Sequence, residues 1–109
     1  MNKKLSAVAA LRDLDHVIFN REESQALCDS MGVDSRGIPV YAMEHHPEEF
    51  KGARLKGCTE IGERRISIGA DELAVWLCEQ LDIEYASKMG RGSQLRECCN
   101  VLEAHFSKA

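Results

Sequence analysis

The C-terminal third of the chain constrains the fold most. Residues 70–81 place Ala70, Leu73, Ala74, Leu77, Cys78 and Leu81 on one helical stripe, and residues 95–106 place Leu95, Cys98, Cys99, Leu102 and Phe106 on another. Each stripe is apolar on one side only, so each helix must bury that side in a core. Upstream, Leu5, Val8, Leu11 and Leu14 recur at helical spacing in a helix that starts near Lys3. Asn20 followed by Glu23 has the form of a capping box and predicts a second helix that runs to Met31 and stops at Gly32. Between the two, Val17, Ile18 and Phe19 fit either an extension of the first helix or a short extended piece.

The middle of the chain reads differently. GIPVYAM at 37–43 predicts a strand, because Ile, Val and Tyr suit a pleated, half-buried surface. Pro47 followed by Glu48 and Glu49 suits the first turn of a short helix. ARLKGCT at 53–59 and RRISIG at 64–69 flank EIGE and predict a hairpin. The expected fold is α+β, with three to four helices packed on a small two- or three-stranded antiparallel sheet drawn from residues 37–69. A chain of 109 residues is expected to form a single compact domain over 1–109. Apolar residues are 44 % and charged residues 29 %, a balance with enough apolar surface to offset chain entropy. One internal echo aligns Leu27–Cys28 with Leu77–Cys78; amphipathicity alone accounts for it.

The net charge of −4 argues against a protein whose main business is coating nucleic acid or an anionic membrane. The charge is uneven. Asp71, Glu72, Glu79, Asp82 and Glu84 form a run without a base, whereas bases gather at Lys51, Arg54, Lys56, Arg64 and Arg65 and again at Lys88, Arg91 and Arg96. This distribution predicts an acidic face and a separate basic one. No segment has the length of a membrane span. The apolar run from Leu5 to Leu11 is cut by Arg12 and Asp13, which favours a helix of the mature fold over a secretory signal. Five cysteines, two of them adjacent, do not have the spacing of a disulfide scaffold, so reduced thiols in a cytoplasmic protein are expected.

KMGRGSQLRECC at 88–99 raises the question of an anion site. Gly90 can end one helix in the left-handed conformation and Ser93 can cap the next. Lys88, Arg91 and Arg96 then stand where the free amides of the helix are already positive, an arrangement favoured by an anion or an acidic partner. The spacing is neither that of a phosphate-binding P-loop nor that of a dinucleotide fingerprint. Three readings stand: a solvated turn, a contact to an acidic protein, and a contact to nucleic-acid phosphate. In the last, the helix that starts near Ser93 would enter the major groove as the second helix of a helix-turn-helix, with Gln94, Arg96 and Arg91 towards the DNA. The long connection and the acids of the preceding helix count against it.

The cluster Glu44, His45, His46, Glu48 and Glu49 lacks the ligand spacing of a zinc site. Cys58 alone lies in a basic neighbourhood that would lower a thiol pKa. No catalytic residue, metal or cofactor is therefore assigned. Trp76 falls beyond the edge of its apolar stripe. Either the core is wide there, or the ring is partly exposed as an interface anchor beside acids.

The function expected on these grounds is that of a small acidic cytoplasmic regulatory or inhibitory protein that binds a partner protein with a basic surface. Its contact residues would be Glu72, Trp76, Glu79 and Asp82. By compositional analogy, a mobile-element inhibitor of a host nucleic-acid-processing complex fits this description. The alternatives are a nucleic-acid-binding transcriptional regulator using Lys88, Arg91, Ser93 and Arg96, and a thiol- or metal-dependent enzyme. No membrane partner is expected, and no residue pattern fixes an oligomeric state.

Overall fold

The computed structural model describes residues 3–33, 59–62, 65–87 and 89–107. Among them the element order is α1 (Lys3–Arg12), β1 (His16–Phe19), α2 (Arg21–Met31), β2 (Thr59–Gly62), β3 (Arg65–Gly69), α3 (Ala70–Gln80) and α4 (Arg91–Phe106). The fold class is α+β, as the sequence predicts. The expected strand at 37–43, the short helix after Pro47, the His45–His46 cluster and Cys58 all lie outside the described residues. The chain divides into two compact units, residues 1–15 with 70–109, and residues 16–69.

The second unit holds the sheet. Its three strands are antiparallel in the order β1-β3-β2, so β3 is central. Ile66 and Ile68 of β3 are fully buried, as befits alternate positions of a strand with neighbours on both sides. Val17, Ile18 and Phe19 form a strand, not a helical extension, with His16 opposite Gly69 and Phe19 opposite Ile66. Pairing with β3 settles what four residues of local propensity leave open. The sheet therefore draws one strand from 16–19, not from 37–69 alone. The hairpin is present but shifted. Glu60, Ile61 and Gly62 are strand rather than turn, with an irregularity in register between Glu60 and Gly62.

Helix α2 starts and stops as the sequence predicts. The Asn20 side chain accepts from the Glu23 amide at 2.9 Å, and the Asn20 amide donates to the Glu23 carboxylate at 3.1 Å. Gly32 takes the left-handed conformation at φ 73°, and the Val33 amide reaches back to the Cys28 carbonyl at 3.0 Å. This is a Schellman stop, in which glycine carries no Cβ penalty. Ser24, Cys28 and Met31 give the helix its buried face.

The first unit is helical. The α3–α4 pairing is its most extensive, and α1 lies along α4. Helix α1 buries only Val8 and Leu11. It ends at Arg12, so Leu14 falls beyond the helix and is 44 % exposed, against the expected stripe. Arg12 ties α1 to α4 through Glu103 at 2.8 Å and Asn100 at 2.9 Å. Helix α4 buries Gln94, Cys98, Cys99, Leu102 and Phe106. Gln94 takes the place expected of Leu95. Its amide donates to the Ala86 carbonyl at 2.8 Å and to the Cys98 sulfur at 3.4 Å, so its burial leaves no donor unpaired.

Candidate functional site

Trp76 is not at the surface. It is 1 % exposed, and α3 buries Ala70, Leu73, Ala74, Trp76, Leu77 and Cys78. At 100° per residue these positions span roughly 200° of the helix, wider than the stripe legible in the sequence. The expectation of a partly exposed anchor is therefore corrected: Trp76 is a core residue. Its indole Nε1 has no hydrogen-bond partner among the described residues.

The turn before α4 is also corrected. Gly90 is extended at φ −63°, ψ 160° and is itself the N-cap, and among the described residues no helix runs up to it for it to terminate. The Gln94 amide bonds to the Gly90 carbonyl at 2.8 Å, which places Ser93 inside the first turn, where it is exposed and does not cap. Arg91 is the first helical residue, and it is engaged by acids. Its Nε lies 3.4 Å from Asp71 Oδ1, and its Nη2 lies 3.5 Å from Asp15 Oδ1. These carboxylates offset the charge that the sequence left looking for an anion. Arg96 is exposed and stands about 140° around the helix from Arg91, so the two do not converge. Lys88 lies outside the described residues.

Opposite charges thus interleave at Arg12–Glu103 and at Asp15–Arg91–Asp71. The expected division into one acidic and one basic face does not hold in this unit. One stretch keeps a single sign. From Ile66 to Ser87 the sequence has no lysine or arginine. Asp71 and Glu72 sit in the first turn of α3, where the helix dipole favours them, and Asp71 is taken up by Arg91. Glu72 is half-buried. Glu79, Asp82 and Glu84 are all exposed; Glu79 stands in the last turn of α3, where the dipole disfavours acids and no base is present, and Asp82 and Glu84 follow just past the helix end.

The backbone there is specific. The Ile83 amide bonds to the Cys78 carbonyl at 2.8 Å and the Asp82 amide to the Glu79 carbonyl at 3.2 Å, with Asp82 left-handed at φ 57°. This is the same Schellman stop that ends α2, with Asp82 where α2 has Gly32 and Ile83 where α2 has Val33. The left-handed region disfavours a side chain, less for Asp than for most residues. The Tyr85 hydroxyl donates to Glu79 at 2.8 Å and holds that carboxylate in place. Burial, and then this bond, push the phenol up to about 12.

The stop also folds Ile83 back beside α4. Leu81, Asp82, Ile83, Val101, Ala104 and His105 line a shallow groove of about 330 Å³. Sequence reasoning reached Glu79 and Asp82 but missed this groove. Val101 and Ala104 lie off the apolar stripe of α4, and Leu81 with the returning Ile83 brings an apolar wall to them. The available signal was Ile83 itself, an apolar residue two places past a helix end.

Four of the five thiols lie among the described residues. Cys28, Cys78, Cys98 and Cys99 are buried and none of them is in a disulfide. The Cys78 thiol donates to the Cys98 carbonyl at 3.9 Å. Hydrogen bonding to Cys98, then burial, raise the Cys78 pKa; hydrogen bonds from Cys78 and then Gln94 lower that of Cys98 to about 7. Among the described residues no three metal-ligating side chains come together, and no helix is long and apolar enough to cross a membrane. No family model, curated protein or solved structure matches the chain.

Proposed function

We propose that the protein is a small regulatory protein that acts by binding a partner protein, and that the carbonyl end of α3 is its contact surface. The observation that carries this reading is the grouping of Glu79, Asp82 and Glu84. All are exposed, Glu79 in the last turn of a helix whose own dipole is negative there and which has no base in that turn, Asp82 and Glu84 in the residues that follow it. Acids so placed cost a few tenths of a kcal/mol each, until a cation approaches. A basic surface on the partner supplies that cation and steers the encounter. The residues doing this are Glu79 and Asp82 of the expected set together with Glu84; Trp76 contributes by holding α3 in the core.

The test is affinity capture from native lysate, with and without nuclease, comparing the wild-type chain with Glu79→Lys/Asp82→Lys. The reading expects a protein that survives nuclease, elutes with added salt, and is lost with the double variant. Equal recovery with the variant overturns it. Recovery that depends on nucleic acid instead returns the function to Arg91 and Arg96.

A further inference from the structure

The groove beside Asp82 has an apolar floor and an acidic rim, and each feature restricts what fits. Leu81, Ile83, Val101 and Ala104 offer apolar surface, and Leu81, Ile83 and Val101 remain half-exposed. Val101, Ala104 and His105 are spaced i, i+3 and i+4 on α4, so they form one continuous strip along the helix. Ala104 keeps the strip shallow. Asp82 is the one acid that lines it, and the exposed Glu79 and Glu84 flank the groove residues in sequence, three places before Asp82 and two after. The position of Asp82 is informative. The equivalent stop of α2 uses Gly32, which adopts φ > 0 without a Cβ penalty, whereas α3 places a carboxylate there at φ 57°.

We infer that this groove receives an amphipathic helix of the partner protein, laid along α4, with an apolar stripe on the floor and lysines or arginines against Glu79, Asp82 and Glu84. The inference rests on the proposed partner-binding function and names the chemistry of the partner's segment. Val101 and Ala104, one turn apart on α4, with Leu81 and Ile83 across from them, offer the apolar contacts that one turn of an amphipathic helix needs in helix-in-groove recognition. The three acids, unanswered by any base between Ile66 and Ser87, select a basic flank over an acidic one. A flat cationic surface would satisfy the acids but leave the floor uncovered.

The experiment titrates the ¹⁵N-labelled full chain with three synthetic peptides, followed by amide shifts and by anisotropy. One is a leucine/lysine amphipathic helix, one its leucine/glutamate counterpart, and one a serine/lysine peptide without apolar residues. The leucine/lysine helix is expected to bind and to shift Leu81, Ile83, Val101, Ala104 and His105. Ala104→Arg, which closes the floor from an exposed position and adds a like charge, is expected to weaken it at least about tenfold without loss of helical signal. Asp82→Asn, which keeps the side-chain size, should weaken it by a smaller factor. Binding of the leucine/glutamate helix equal to that of the leucine/lysine helix, or shifts confined to α1, overturns the inference. Equal binding of the serine/lysine peptide, with shifts at Glu79, Asp82 and Glu84 alone, overturns the groove while leaving the acidic contact surface standing. A groove filled by a second copy of the chain would show in the free protein as dimer elution with those same shifts on dilution, and would likewise overturn it. No binding by either cationic peptide removes both.

Discussion

Replacing Asp82 by glycine should make the protein more stable and its binding weaker. Asp82 sits at φ 57° in the left-handed region, which disfavours a side chain by roughly 1–2 kcal/mol, with Asp at the lower end. Glycine removes that term but adds about 0.4–1 kcal/mol of chain entropy in the unfolded state. Removing an acid from the carbonyl end of α3 returns about 0.3–1 kcal/mol at low ionic strength. The net is a gain of about 1 kcal/mol, or ~4 °C in Tm for a chain of this size. The α2 stop provides the reciprocal experiment. Gly32→Asp places the same side chain at φ 73° and should lose about 1 kcal/mol. Asp82→Ala removes the same charge but keeps the Cβ at a positive φ, so it should gain less than Asp82→Gly. Urea unfolding of the variants measures all of these, and the peptide titration measures binding in parallel. Asp82→Gly that is no more stable than wild type refutes the left-handed stop; Asp82→Gly that is more stable and binds equally well refutes the functional reading of the carboxylate.

Other substitutions test the corrections. Trp76→Ala should cost about 3–5 kcal/mol, the loss of a buried ring, where an exposed anchor would cost far less; thermal unfolding decides. Trp76→Phe should cost less than half as much, since it also removes an indole N–H without a partner among the described residues. Gly90→Asp should stabilise α4 by about 0.5–1 kcal/mol, because it supplies the missing cap and an acid at the helix start, and a Cβ there meets nothing within 4 Å. Ser93→Ala should stay within about 0.5 kcal/mol, because that hydroxyl is inside the first turn; a loss near 1 kcal/mol would restore it as the cap. Burial pushes the Cys99 thiol from 9.0 up to about 11. The unfolded chain therefore releases this proton first, and the stability is complete below pH 9 and falls as pH rises from 9 to 11, by about 1.4 kcal/mol per unit for one such group. Urea midpoints across that range should drop, and Cys99→Val should flatten the drop.

The sequence was most legible where structure is local. Asn20, Glu23 and Gly32 specify the two ends of α2 by contacts within a few residues, and they were read correctly. The 16–19 strand was not legible, because its identity depends on pairing with residues about fifty positions away. Ser93 and Gly90 are both acceptable N-caps, and the extended conformation of Gly90 chooses between them. The burial of Trp76 required knowing how much of α3 is covered, which no periodicity states. At the candidate surface the acids were visible, but the groove was not. Its walls come from α4 and from the residue just past the stop of α3, and Asp rather than Gly at the left-handed position hid that stop. The Leu27–Cys28 and Leu77–Cys78 echo proves to extend beyond amphipathicity, since both cysteines accept the returning amide of a Schellman turn.

The most direct test is hydrogen exchange of the full chain alone and in complex with the protein captured by it. Exchange should slow at residues 79–84 and 101–105 and stay unchanged over 3–14. Protection over 91–97 or 3–14, with 79–84 as open as in the free chain, contradicts the assignment of the acidic end of α3 as the contact surface.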